Sequence, residues 1–217
     1  VTAIERGDPA TVRTATGEVV CDHVIVACNG YLDRLVPEIA SHVMPINNFI
    51  IATEPLGEAG ARALIANNAA VADSRFVINY FRLTDDHRLL FGGGESYGYR
   101  FPPDIAAFVR RPMLRVFPQL AATRIDYAWG GTLAITMGRL PHLRRIAGNM
   151  LSASGYSGQG IAIATLAGKV VAEAVRGQAQ RFDLMAAIAQ PAFPGGAALR
   201  APLLALAMTW YALRDRL

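Results

Sequence analysis

The stretch "SASGYSGQGIAIATLAGKV", Ser152 to Val170, has the make-up of a loop that opens a helix and faces a ligand. Gly155, Gly158 and Gly160 crowd one short segment, and an alanine-rich, helix-forming run follows. Free backbone N–H groups at such a helix start attract negative charge. A nucleotide-phosphate loop of the G-x-x-x-x-G-K-[ST] type is excluded, because Ile161 and Ala162 stand where its lysine and hydroxyl are required. Lys169, the only lysine, lies about two and a half helical turns further on. The dinucleotide fingerprint G-x-G-x-x-G is absent throughout; "FGGGESYG" misses it because Tyr97 occupies the third glycine position. Two readings of the loop remain: a helix end aimed at a ligand, or glycines that let a helix pack closely on a sheet.

The flanking pattern says which elements position this loop. "VTAIE", "TVRTA" and "VV", separated by the turns "GDP" and "TGE", predict a β-meander. "HVIVAC", His23 to Cys28, predicts a parallel strand buried on both faces, ending at the turn pair Asn29-Gly30. Between Met44 and Ile135, "INNFIIATEP", "FVINYFRLT", "HRLLFGGG" and "TRIDYAWGGTLAIT" predict strands. The second and third form a hairpin around Asp85-Asp86, and Gly130-Gly131 mark a bulge or a close backbone approach. Residues 103–120 read as a helix that Pro112 kinks or splits. "NMLSASG" predicts a short strand before the helix of residues 160–175, which Gly177 stops. "FPGG" then separates a terminal helix. The predicted class is α/β with α+β: a nucleotide-binding α/β domain interrupted by an antiparallel-sheet domain. Boundaries fall at 1–43, 44–136, 137–180 and a helical tail, 181–217.

Composition narrows the partners. With 53% hydrophobic and 18% charged residues, the 217-residue chain is globular rather than disordered. The net charge of +4 comes from scattered arginines with no basic stripe, so a nucleic-acid face is not expected. Cys21 and Cys28 make neither a disulfide framework nor a zinc site and read as buried thiols of a reducing, cytoplasmic protein. His23, His42 and His87 lack the spacing of metal ligands, so no metal is expected. "APLLALAMTWYAL", Ala201 to Leu213, is too short to span a bilayer and suits a buried or interfacial helix.

In their order along the chain, "GEVVCDHVIVACNGYL", "RLLFGGG", "FPQLAATRIDYAWGG", "GRLPHLRRI", "SGYSGQGIAIATLAGKVVAEAV" and "FPGGAALRAPLLALAMTWYALRDRL" resemble a known family. They look like the C-terminal half of FAD-dependent amine oxidases of the D-amino-acid oxidase/glycine oxidase superfamily, and within it like the γ-glutamylputrescine oxidoreductases. The resemblance implies FAD as cofactor. It places Val1 against the adenine, and Ala27, Cys28, Asn29 and Gly30 over the dinucleotide. It places Pro141 and His142 beside the flavin. The loop of Gly155, Tyr156, Ser157, Gly158, Gln159 and Gly160 then faces the pyrimidine end of the isoalloxazine, where helix N–H groups stabilise the charge that reduction brings. Gln159 stands where the family commonly has histidine, and glutamine cannot titrate near neutral pH.

The resemblance also implies a substrate wall on the second domain. There Arg82 would pair with a substrate carboxylate, Tyr80 and Trp129 would line an amine channel, and Glu95 would meet a distal ammonium. Each has a plainer reading: a solvated strand-face charge for Arg82, core packing for the two aromatics, and a packed or capping histidine at 142. The expected reaction is oxidative deamination of γ-glutamylputrescine or a related acylated diamine, with O₂ or another acceptor. No residue is assigned as acid or base, because an amine bound neutral needs none. Rival readings are a glycine/sarcosine-type oxidase, a silent fragment or subunit needing a partner, and a membrane-surface protein. The chain starts at Val1 on a strand, so the phosphate-binding segment of the family is expected upstream of it.

Overall fold

The computed structural model describes residues 1–75, 77–97, 100–197, 199, 202, 203 and 206. They fall into two compact units, one drawn from Val1–Pro45 and Leu133–Leu204, the other from Ile46–Thr132 and Ala205–Leu217. In the first unit β1 (Ala3–Glu5), β2 (Ala10–Arg13) and β3 (Glu18–Cys21) form the expected meander in the order β1-β2-β3. β4 (Val24–Val26) follows, then a 3₁₀ turn at Asn29–Tyr31 and the short helix α1 (Pro37–Ala40). Pro37 at the first turn of α1 loses no hydrogen bond there. β5 (Met44–Thr53) carries the chain into the second unit.

The second unit holds α2 (Gly57–Leu64), β6 (Val71–Ala72), β7 (Tyr80–Leu83), β8 (Leu89–Tyr97), α3 (Ile105–Val116) and most of β9 (Ile125–Ile135). Its five-stranded sheet has the order β6-β7-β8-β5-β9. The β7–β8 hairpin turns through residues 84–88 as predicted, with Arg82 opposite Leu90 and Tyr80 opposite Gly92. One face of the sheet carries Phe49, Ile51, Leu83, Leu89 and Phe91, and α3 covers it through Val109 and Met113. Phe81 and Phe91 stack with centroids 5.5 Å apart, and Phe117 meets Phe81 edge-on at 5.0 Å. Burial of this size outweighs one lost backbone hydrogen bond, so α3 runs unbroken through Pro112 rather than splitting there. Gly130 is a close approach: a Cβ there would sit 2.4 Å from Phe49.

The chain returns to the first unit with β10 (His142–Ala147), β11 (Met150–Ser154), α4 (Gly160–Val175) and α5 (Gln180–Ala186). β11 pairs antiparallel with β10 and parallel with β4, giving the order β10-β11-β4. α4 and α5 pack Ala167, Val170, Val171 and Phe182 against Leu143, Leu151 and Ala153. The architecture is the predicted α/β arrangement interrupted by an antiparallel sheet.

Four details differ from the sequence reading. β4 is three residues long and buries only Val24 and Val26, while Ile25 is 48% exposed, so it is covered on one face and not both. Cys21 and Cys28 are free but half-buried. Val1 precedes β1 rather than lying in it. The strand placed at Phe76–Thr84 begins at Tyr80; Phe76 and most of Ala201–Leu213 lie outside the described residues. No helix among the described residues is long and apolar enough to cross a membrane.

Candidate functional site

β4 and β11 are neighbouring parallel strands, so the turns that follow them emerge on the same edge of the sheet. Ligands of open α/β sheets bind at such carboxyl ends. After β4, Asn29 takes a left-handed φ of 47° and its Oδ1 accepts from the Gly155 N–H at 3.1 Å. After β11, Gly155, Ser157 and Gly158 all have positive φ, at 71°, 51° and 91°. A Cβ on Gly155 would lie 2.6 Å from Thr136 Cγ2 and 3.3 Å from His142 Cβ, so only glycine fits. The space over Gly158 is open within 4 Å. The loop is pinned to the end of β9 in two places: the Ser157 N–H donates to the Ala134 carbonyl at 3.0 Å, and the Thr136 N–H to Ser157 Oγ at 3.2 Å.

α4 begins at this loop. The Gln159 side chain makes no cap, and the first turn contains no acidic residue. The first N–H groups of the helix therefore meet no side-chain acceptor of that turn, and they carry the positive end of the helix dipole. Ile161 beside them is 98% exposed.

His142 stands opposite Ser154 on β10 and stacks on His42, with centroids 4.8 Å apart. It is only 4% exposed, and burial, aided by His42 and Arg144, pushes its pKa down to about 4. The ring is neutral at physiological pH. Its Nδ1, together with Ser152 Oγ, Ser154 Oγ and Gln190 Oε1, is buried without a partner in this structure. Pro141 is half-buried next to it. Nothing in the residue types of Thr136, Ser154 and Gln190 marks them in the sequence, and His42 stands out there only as a histidine without metal-ligand spacing.

The remaining cofactor candidates form a second group. Val1 and Cys28 line an apolar concavity of about 260 Å³, walled by Ile4, Val12, Val24 and Val26. Ala27 is exposed and Gly30 buried. Cys28 and Asn29, adjacent in sequence, join this concavity to the loop site.

In the second unit the four substrate candidates lie on strands of one sheet. Tyr80 and Arg82 share the face opposite Phe81 and its core. Trp129, 44% exposed, points away from the side on which Gly130 meets Phe49. Tyr80 is half-buried, and burial followed by the charge of Glu95 raises its pKa. Its hydroxyl donates to Asn48 Oδ1, and Asn48 stands opposite Glu95. Arg82 is exposed, with no ion pair among the described residues. The structure thus brings Tyr80 and Glu95 together, and sets Arg82 further along the same face. Asn48 was missed; two asparagines within the apolar "INNFII" were the available signal.

Over residues 1–174 the chain matches the family described as FAD dependent oxidoreductase, DAO. The chain belongs to this family. It is 45% identical over 218 residues to gamma-glutamylputrescine oxidoreductase of Escherichia coli K12, covering 100% of this chain and 51% of that protein. It is 44% identical over 212 residues to the probable oxidoreductase OrdL of Rhizobium meliloti, covering 98% and 49%. The chain spans about half the length of the curated relatives it matches. Among solved structures, glycine oxidase from Geobacillus kaustophilus superposes with a TM-score of 0.67 at 19% identity, covering 85% of this chain and 50% of that one. Iminodiacetate oxidase from Chelativorans sp. BNC1 gives 0.66 at 20%, covering 81% and 48%. These two share the DAO-family fold.

The first unit fits the family's cofactor on its own terms. FAD needs an apolar seat for its adenine and a polar, closely approachable seat for its ring, and the two groups of residues have those characters. The space over Gly158 and the orphaned His142 Nδ1 and Ser154 Oγ provide the room and unmet hydrogen-bonding capacity of a ring seat.

Proposed function

We propose that the protein carrying this chain oxidises a primary amine of an acylated diamine, γ-glutamylputrescine in the first instance, using bound FAD. The reading is carried by the juxtaposition of Asn29, His142 and the Gly155–Gly160 loop at the ends of parallel strands, in a chain with 45% identity to a gamma-glutamylputrescine oxidoreductase. Bound FAD would supply the acceptor for the hydride that leaves the carbon next to the amine nitrogen.

The residues of the chain then bind, orient and polarise. Val1 and Cys28 would hold the adenine end in the apolar concavity, and Ala27 and Gly30, on either side of Cys28 and Asn29, would lie over the dinucleotide. The uncapped N–H groups of α4, presented by Gly158, Gln159 and Gly160, would face the part of the ring that becomes negative, and a preorganised donor set there lowers the barrier. Gln159 offers a neutral amide where a titrating group would make the rate pH-dependent. His142, neutral and locked by His42, would give a fixed hydrogen bond rather than a charge, with Pro141, Tyr156 and Ser157 shaping the surround.

On the second unit, which would be the substrate domain, Arg82 would take the carboxylate of the glutamyl group. Tyr80, Glu95 and Trp129 would take the amine-bearing arm. The amine loses a proton with the hydride to give an imine, and water hydrolyses that to aldehyde and ammonia. O₂ or another acceptor takes up the two electrons.

The test is amine-stimulated peroxide release or dye reduction by the purified, yellow, full-length protein. Turnover of γ-glutamylputrescine in preference to glycine and sarcosine supports the reading. Preference for the small amino acids overturns the substrate. A folded protein that stays colourless with added FAD overturns the enzyme reading.

A further inference from the structure

Asn47 and Asn48 sit side by side in β5 and face opposite ways. Asn47 is fully buried and satisfied: its Nδ2 donates to Ser96 Oγ and to the Arg100 carbonyl, both at 3.0 Å, and Thr132 Oγ1 donates to its Oδ1 at 2.8 Å. That hydrogen bonding is structural. Asn48 faces the other side of the sheet, and its Oδ1 accepts from the Tyr80 hydroxyl, a residue 32 positions away and two strands over.

The reach across β8 is built. Tyr80 stands opposite Gly92, and a Cβ on Gly92 would lie 2.1 Å from Tyr80 Cζ and 2.5 Å from its oxygen. The phenol therefore lies flat over the strand where a side chain would otherwise stand, and its oxygen arrives at Asn48. A register shift between Asn48 and Ile50 sets Glu95 opposite Asn48, on the spot where the phenol ends.

A phenol has one O–H to give and two lone pairs. With the O–H committed to Asn48 Oδ1, the oxygen of Tyr80 can only accept from anything that approaches. Its neighbour Glu95 also accepts when ionised. The patch therefore suits hydrogen-bond donors, and an ammonium, which only donates and carries the charge opposite to Glu95, suits it best.

We propose that Asn48 is a positioning residue that fixes Tyr80 as an acceptor, so that the Tyr80–Glu95 patch binds the nitrogen-bearing arm of the substrate. This rests on the amine-oxidising reading given above and makes it specific. Arg82, opposite Leu90, and Glu95, opposite Asn48, are about four strand positions apart, on the order of 13 Å along the sheet. An anionic end at Arg82 and a nitrogen at Tyr80–Glu95 describe an extended molecule. An amino acid with both charges on one carbon cannot reach both ends.

The experiment compares Asn48→Leu, Asn48→Asp and Tyr80→Phe in the FAD-loaded full-length protein with γ-glutamylputrescine as the probe. Asn48→Leu and Tyr80→Phe should each raise KM roughly tenfold, the worth of one hydrogen bond in a site, with kcat within about threefold. Asn48→Asp, isosteric and acceptor-only, should restore KM to within about threefold of the parent. The Asn48→Leu/Tyr80→Phe double variant should be no worse than Tyr80→Phe alone. Two outcomes overturn the proposal: equal KM values for Asn48→Leu and the parent, or additive effects in the double variant.

An ultraviolet titration of the Tyr80 phenol, taken as the difference between parent and Tyr80→Phe, gives a readout without turnover. Losing the acceptor should lower its pKa in Asn48→Leu, and an unchanged titration also sinks the proposal. A parent enzyme that ignores γ-glutamylputrescine would overturn the function reading instead. The titration would still judge the Asn48–Tyr80 pair.

Discussion

The two units build their candidate sites from different parts of the chain. In the first unit the site is made mainly of backbone: positive-φ residues after β11, the open N-terminus of α4, and a side chain, Asn29, whose task is to hold the Gly155 N–H. In the second unit it is made of side chains on strands of one sheet, Tyr80, Arg82, Glu95 and Trp129, placed by strand register. A backbone site tolerates almost no change in its glycines but leaves neighbouring identities free. A register-built site tolerates change in any one wall residue, provided the core behind the sheet keeps the strands aligned. Chemistry common to a family suits the first kind of site, and substrate choice suits the second.

The sharpest break of this contrast is in the core behind the second site. Phe91→Ala removes a ring that is fully buried and packed between Phe81 and Phe117, and should cost about 3–5 kcal/mol in denaturant unfolding. An effect below about 1 kcal/mol would mean that the sheet does not depend on this cluster.

Next comes the backbone site. Gly155→Ala forces a Cβ to 2.6 Å from Thr136 at a φ of 71°, and should cost about 2–4 kcal/mol and expel bound flavin. Gly158→Ala, with open space but a φ of 91°, should cost only about 1 kcal/mol while weakening flavin retention. Equal losses for the two would show that steric crowding at Gly155 is unimportant.

A third test is pH. His142 is held neutral, its pKa pushed from 6.5 to about 4, first by burial and then by His42 and Arg144. Between those values the unfolded chain binds the proton and the folded one does not, so stability falls as pH drops from about 6.5 to 4 and levels off below. The full effect is on the order of 3 kcal/mol. His142→Gln should flatten that slope in urea titrations across the window, and an undiminished slope would assign it to other groups.

The smallest effect is at the helix behind the sheet. Asp104 caps α3 by accepting from the Ala107 N–H at 2.8 Å, so Asp104→Ala should cost about 1 kcal/mol by thermal melting. Loss of several times that would give α3 a larger share in holding the register.

Much of the first site was legible because backbone geometry leaves composition marks. Gly155 and Gly158, Asn29 after an apolar run, and Gly177 beyond α4 each answer a positive φ that most other residues resist. The sequence does not show β10 or α2, whereas α5 falls in the expected helical tail. The apolar residues of β10 and α2 pack on only one side of short segments, and six and eight residues are too few to show a period. β4 was over-read, because "HVIVAC" does not tell a strand covered on two faces from one covered on one face with Ile25 exposed. Of the kink or split expected at Pro112, the split does not occur: local geometry argues for a break, and the packing of Val109 and Met113 keeps α3 continuous.

The sequence by itself determined the elements whose cause is local: the turns, the α4 run, and the loop whose left-handed positions require glycine or a tolerant substitute. It also carried the family, through motifs spread along the chain. Only the tertiary structure decided which side chains meet. Asn48 and Tyr80 are 32 residues apart and touch because Gly92, on the strand between them, has no side chain. His42 and His142 are 100 residues apart and stack, one in the segment between α1 and β5 and the other on β10. Register and burial arise from many weak contacts summed over the fold, and no window of sequence contains that sum.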